Sequence, residues 1–251
     1  RSLTITIRNI PTKIPTTEQL GVDQEIIDCV RSSRQGMILC VGATGNGKSS
    51  TLAALIDDRM EYDPHNGNLV TFEDPIEFVF DRPDREINLY TPLELGRHIK
   101  SFKDGLKNVM RMAPDIVLVG EIRDYDTMHA AMSVAVSGHT LLSTLHANNI
   151  AETLTRMTSF FPTDLQHLQS LSMIVAQRLV PSTDGKRVAL REYLVLDNHI
   201  KKKLLEAPNM AQASIDLTRQ YGRLMSQHAE EYLKKGMIDQ DTYDLQCQNY
   251  G

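Results

Sequence analysis

The 251-residue chain has no tryptophan, few other aromatics (8 Tyr, 6 Phe) and three scattered cysteines, Cys29, Cys40 and Cys247. So few thiols cannot build a disulfide framework, and without any Cys-x-x-Cys pair a zinc ribbon is excluded; this usage suits a reducing compartment. A His-Glu-x-x-His pattern is also missing and the eight histidines are dispersed, which argues against a zinc site. No apolar run approaches the roughly 18 residues of a membrane span, and the opening Arg1-Ser2-Leu3-Thr4 is not a signal peptide. An excess of positive charge is lacking too. The 27 Lys+Arg against 32 Asp+Glu leave a net charge of −5, which makes nucleic acid an unfavoured partner. What is present is ordinary globular composition, 41% hydrophobic and 24% charged, at a length that can bury a sizeable core.

Leu3-Thr4-Ile5-Thr6-Ile7-Arg8 alternates like a strand already under way. Such a strand needs partners that the residues before it cannot supply, so the chain is expected to be the C-terminal part of a longer protein. Pro11 and Pro15 favour an extended linker, after which Thr16 or Thr17 can cap a helix reaching about Val30. Strands and helices then alternate: strand 37–41, helix 48–60, strand 69–72, a long helix over 93–112, strand 116–119, helix 126–137 stopped by Gly138, and strand 140–145. That alternation predicts an α/β fold with a mainly parallel sheet covered on both faces. Residues 176–196 read as β stretches around a turn at Ser182-Thr183-Asp184-Gly185, and the chain beyond Asp197 reads as polar helices. The expected division is residues 1–16 as the end of an N-terminal domain and linker, 17–197 as the α/β domain, and 198–251 as a helical segment. Lys201-Lys202-Lys203 reads as a solvated helix face.

Gly42-Ala43-Thr44-Gly45-Asn46-Gly47-Lys48-Ser49 satisfies the G-x-x-x-x-G-K-[ST] pattern between a strand and a helix. Glycines let successive N–H groups turn inward to phosphate oxygens, and the following helix presents its positive end there. Lys48 can reach β/γ-phosphates and the Ser49 hydroxyl can ligate Mg²⁺. The expected nucleotide contacts are Gly42, Thr44, Gly45, Asn46, Gly47, Lys48, Ser49 and Ser50.

The other strand ends carry chemistry as well. Ligands of parallel sheets sit beyond the carboxyl ends of the strands. There the second strand brings Glu73-Asp74-Pro75-Ile76-Glu77, the third Gly120-Glu121, and the fourth His146. Glu121 is placed to bind or orient the Mg²⁺ shell, Glu77 to polarise an attacking water, and His146 to touch the γ-phosphate or that water. His139 belongs to the opposite end of its strand. A GTPase would need an Asn/Thr-Lys-x-Asp motif, which is absent, and no lid or acceptor pocket of a small-molecule kinase can be located.

Four ordered segments resemble those of the secretion ATPase superfamily, which includes type II and type IV secretion motors and pilus extension and retraction ATPases. Residues 42–49 are similar to its Walker A box, Thr71-Phe72-Glu73-Asp74-Pro75-Ile76-Glu77 to its Asp box, Pro114-Asp115-Ile116-Val117-Leu118-Val119-Gly120-Glu121-Ile122-Arg123-Asp124 to its atypical Walker B, and Gly138-His139-Thr140-Leu141-Leu142-Ser143-Thr144-Leu145-His146-Ala147-Asn148 to its His box. The resemblance implies a RecA-like P-loop domain that hydrolyses ATP with Mg²⁺. In it Glu77 is the catalytic glutamate, Glu121 the Walker B glutamate (a metal partner directly or through water), Ser49 a Mg²⁺ ligand and His146 a sensor. It also implies a homo-hexamer that docks to inner-membrane secretion components from the cytoplasmic face, and a phosphate contact from Arg8, with Arg111 a second candidate. The tetracysteine module of type II and pilus extension motors is missing, as is the Ala-Ile-Arg-Asn-Leu helix of retraction motors. Residues 160–196 and the helical tail resemble the type IVB (Dot/Icm) branch instead. Ala113 stands where relatives often carry an acid. A pilus retraction motor, a nucleic-acid translocase and a nucleotide-binding scaffold without turnover remain as alternatives.

Overall fold

The apolar runs that alternate with helical stretches assemble into one sheet. The computed structural model describes residues 13–63, 67–80, 89–161 and 167–247. Arg8 and the opening strand lie outside the described residues. Seven strands, β1 (Gly36–Val41), β2 (Leu69–Glu73), β3 (Tyr90–Glu94), β4 (Ile116–Val119), β5 (Thr140–Leu145), β6 (Leu171–Pro181) and β7 (Arg187–Val195), lie in the order β3-β2-β4-β5-β1-β6-β7. Every pairing is parallel except that of β6 with β7. This is the mainly parallel α/β sheet of the RecA-like expectation. All residues of β1, β2, β4 and β5 are buried, as strands are when helices cover both faces.

Alternation along the strands divides the core in two. Ile38 and Cys40 of β1, Leu118 of β4 and Leu142 of β5 pack with Ile26, Leu52, Leu55 and Ile56 of α1 (Gln24–Ser32) and α2 (Lys48–Tyr62). Met37, Leu39, Val117 and Leu141 face the other way, toward Leu106 of α3 (Phe102–Val109), Met128 of α4 (Tyr125–Val136) and Leu154 of α5 (Ile150–Phe160). A short α6 (His167–Ser170) leads into β6. After β7 come α7 (Asn198–Glu206), α8 (Met210–Tyr221), α9 (Met225–Lys234) and α10 (Gln240–Cys247), and their Leu204, Leu217, Met225 and Tyr232 join this second core.

Two expectations are corrected. The long helix over 93–112 is absent: Leu93 and Glu94 end β3, where they pair with Phe72 and Glu73, and the helix is confined to α3 with a 3-10 turn at Met110–Met112. Pairing with β2 overrides the helical propensity of those leucines, and Pro92 is tolerated because β3 is an edge strand. The first helix also begins later than Thr17. Thr16 does cap, accepting from the Gln19 N–H at 3.1 Å and donating its own N–H to Gln19 Oε1 at 3.0 Å, but only a turn. Gly21, at φ +54°, ends that turn, and α1 starts afresh after Asp23.

The register sets the site. Val41 lies beside Leu145, and Phe72 beside Val119. The Gly120 N–H bonds Phe72 O at 2.8 Å, and the Ile122 N–H bonds Thr144 O at 2.9 Å. The segments after β1, β2, β4 and β5 therefore leave the sheet at one edge.

Candidate active site

After Val41 the chain turns through Gly42 (φ +149°), Gly45 (φ +83°) and Gly47 (φ +74°). Gly42 is a steric requirement, since a Cβ there would stand 2.4 Å from Gln177 O. Gly47 is the N-cap of α2, with no side-chain cap and no acid in the first turn, so the positive helix end and its first N–H groups are left for an anion. Lys48 is 9% exposed and its Nζ donates to Ala43 O at 3.1 Å. Burial lowers its pKa, while Cys40, Glu121 and Glu77 favour the charged form.

Beneath this loop β6 acts as a brace. Gln177 Nε2 donates to Asn46 O at 2.7 Å, and its Oε1 accepts from Thr51 Oγ1 of α2 at 2.8 Å and from Arg191 Nε at 2.8 Å. An Arg N–H can only donate, which fixes which end of the amide faces it. The Asn46 side chain turns to the same strand, its Oδ1 accepting from the Leu179 N–H at 3.2 Å. Asn46 and Gly42 therefore shape the loop from below.

The acids arrive from β2 and β4. Glu73 is 4% exposed, and its Oε2 accepts the Glu77 N–H at 3.0 Å. This contact folds the Asp74-Pro75-Ile76 loop back so that Glu77 faces the site. Burial raises the Glu73 pKa against the opposing pull of that N–H and the Thr71 hydroxyl. Arg123 holds Glu121 Oε2 through Nε at 2.8 Å and Nη2 at 2.7 Å. His146 Nε2 lies 2.7 Å from Glu121 Oε1. The His146 carbonyl is itself held by Arg156 Nη1 at 2.9 Å.

One cavity of about 900 Å³ is lined by Thr44, Gly45, Gly47, Lys48, Ser49, Ser50, Glu77, Glu121 and His146, and so gathers four of the strand ends singled out in the sequence. Arg111 is exposed on the 3-10 turn and does not line it. His139 bonds Ser137 Oγ at 3.1 Å at the far end of β5 and does not line the cavity. Sequence reasoning missed Arg123 and Arg187, which also line the cavity, and the brace of Gln177 and Arg191. Arg123 lies only two residues beyond Glu121 in the Walker B-like segment, whereas the brace has no local signal: Gln177 stands 131 residues beyond the Asn46 carbonyl that it holds.

The model of the Type II/IV secretion system protein family matches residues 4–224. The chain is 41% identical over 197 residues to the type IV pilus ATPase PilU of Pseudomonas aeruginosa, covering 75% of this chain and 50% of PilU. It is 36% identical over 194 residues to the type IV pilus retractation ATPase PilT of the same organism, covering 75% of this chain and 55% of PilT. The X-ray structure of the Legionella pneumophila ATPase DotB superposes with a TM-score of 0.91 at 34% identity, over 96% of this chain and 68% of that one. The chain thus spans about half the length of the curated pilus relatives. By the family match and these likenesses, the chain belongs to the Type II/IV secretion system protein family, within the secretion ATPase superfamily that its strand-end segments resemble.

Proposed function

We propose that this chain is the ATP-hydrolysing motor domain of a type IV secretion system of the IVB kind, working as a homo-hexamer docked to inner-membrane components. The observation that carries the reading is the convergence of a buried P-loop lysine, two glutamates and an imidazole on one cavity. The likeness to DotB over 96% of the chain supports the branch. The 41% identity to PilU supports a pilus motor as the second reading. No helix among the described residues is long and apolar enough to cross a membrane. Residues 1–16 then belong to a preceding domain and linker, 17–197 to the motor core, and 198–251 to an appended helical segment.

Each residue has a task in that reading. Backbone N–H groups of residues 44–50 and the ammonium of Lys48 hold the β- and γ-phosphates. Glu77 orients the attacking water and takes its proton. His146 donates to the γ-phosphate and, through Glu121, registers its loss. Arg8 completes the phosphate contacts from the preceding segment. The hard oxygens of Ser49 and Glu121 line the same cavity and fit Mg²⁺, Glu121 directly or through a water. When bound, Mg²⁺ supplies Lewis-acid neutralisation of phosphate charge.

The test is ATP turnover and nucleotide binding by the full-length protein. Lys48→Ala is expected to weaken binding by about 10- to 100-fold, the worth of a charged hydrogen bond. Glu77→Gln is expected to bind ATP yet hydrolyse it at least about 100-fold more slowly. An undiminished rate in Glu77→Gln sinks the motor mechanism and favours a scaffold. Stimulation of turnover by nucleic acid points to a translocase. Co-purification with pilus rather than secretion components moves the protein to the second reading.

A further inference from the structure

Arg191 is a charged side chain with 1% exposure. Its guanidinium donates in two directions. Nε donates to Gln177 Oε1 at 2.8 Å, while Nη1 and Nη2 donate to the carbonyls of Gly21 at 2.6 Å and Leu20 at 2.9 Å. Gln177, its cross-strand partner, carries the contact to Asn46 O in the P-loop and to Thr51 in the helix behind it. A continuous chain of hydrogen bonds, buried at its centre and part-buried at both ends, therefore runs from the phosphate loop to the turn that enters the core from the N-terminal side.

That turn is gripped a second time. Asp23, at the N-cap of α1, pairs with Arg223 at 2.6 Å, and Arg223 Nη2 lies 2.9 Å from His228 Nδ1. The same Nδ1 accepts the Arg191 N–H at 2.9 Å. Arg191 of β7 and Arg223 of the loop between α8 and α9, joined through His228 of α9, thus hold the segment 20–23.

We propose that Arg191 is a positioning residue that couples the nucleotide state of the P-loop to the entering segment at residues 20–23. The inference rests on the nucleotide-binding reading above and deepens it by naming the route. A planar guanidinium suits this task, because its N–H groups leave in fixed directions and a displacement of Gln177 is passed to both carbonyls. The fully buried bond between Arg191 and Gln177 stiffens the centre of the arrangement. Coupling is reciprocal, so breaking the relay also alters nucleotide affinity.

The experiment is amide hydrogen exchange over residues 18–23 in the full-length protein, with and without ADP, alongside titration with a fluorescent ADP analogue. In the unaltered protein, ADP is expected to change protection of these amides. Arg191→Lys keeps a buried cation for the carbonyls but loses the Nε contact to Gln177. It is expected to weaken ADP binding at least about fivefold and to abolish the change at residues 18–23 at saturating ADP. Arg191→Met should do the same; if it does not fold, Arg191→Lys decides. A merely structural arginine would lower thermal stability while leaving the ADP-dependent difference intact, and that result overturns the relay. ADP binding without any change at residues 18–23 in the unaltered protein overturns it as well. Absence of ADP binding altogether removes the underlying nucleotide reading, which is a separate failure.

Discussion

The Nε2 of His146 stands 2.7 Å from Oε1 of Glu121, while Arg123 occupies the other oxygen of that carboxylate. Two adjacent strand ends thus share one acid. If His146 acts on the terminal phosphate, His146→Ala should lower kcat by roughly 10²- to 10³-fold with little change in ADP affinity. Steady-state kinetics beside ADP titration check this; weakened binding with an intact kcat would make His146 a ground-state contact only.

Gly42 and Gly45 separate two steric effects. Gly42→Ala drives a Cβ to 2.4 Å from Gln177 O, whereas a Cβ at Gly45 meets nothing within 4 Å and carries only the strain of φ +83°. Gly45→Ala should cost about 1–2 kcal/mol from the backbone alone. Gly42→Ala adds about 1–3 kcal/mol of overpacking and displaces the loop. Thermal unfolding measures both, and equal losses would refute the close approach.

His228 supplies a pH dependence. Burial, and then the neighbouring Arg223, lower its pKa from 6.5 to about 3. Between those values the unfolded chain binds a proton that the folded one refuses. Stability from this group is therefore present above about pH 6.5 and is lost toward pH 3, at up to about 1.4 kcal/mol per pH unit. Glu73 and Glu192, whose pKa values are raised by burial, act in the opposite sense, losing stability as pH rises through their folded values. Comparison with His228→Gln isolates the imidazole. The acid-side slope of denaturant stability should be shallower in the variant, and parallel slopes would contradict the assignment.

Ala113 is the non-glycine residue with positive φ among those described, at φ 47° and ψ 54°. Ala113→Gly removes the clash between Cβ and carbonyl of that conformation, offset in part by the greater freedom of glycine when unfolded. A net gain of about 0.5–1 kcal/mol is expected in chemical denaturation, and a loss would mean that the methyl group has a packing role.

The order of elements and the contents of the cavity were readable because both rest on short-range patterns. Apolar runs such as Ile116-Val117-Leu118-Val119 announce buried strands, and glycines followed by Lys48 announce an anion loop. The segment 93–101 misled because its leucines fit a helix, while the decisive term was pairing of β3 with the distant β2. Thr16 misled for a related reason: its capping contact is real, but Gly21 ends the turn before a helix can propagate. Gln177, Arg191 and Glu192 gave no warning at all. Their roles exist only once β6 and β7 have been placed beside β1, and no local spacing encodes that.

The reversed direction of β7 has a last consequence. Glu192 points to the face opposite Arg191, where its oxygens accept the N–H groups of Ile150 at 2.9 Å and Met225 at 3.3 Å, opening α5 and α9. Severing the polypeptide after Leu196 would strip one donor from an acid with 3% exposure and bare Leu190 and Leu194 to solvent. A trimmed fragment would inherit a sticky flank and a buried carboxyl left with the Ile150 N–H alone, so the tail completes the covering of this face.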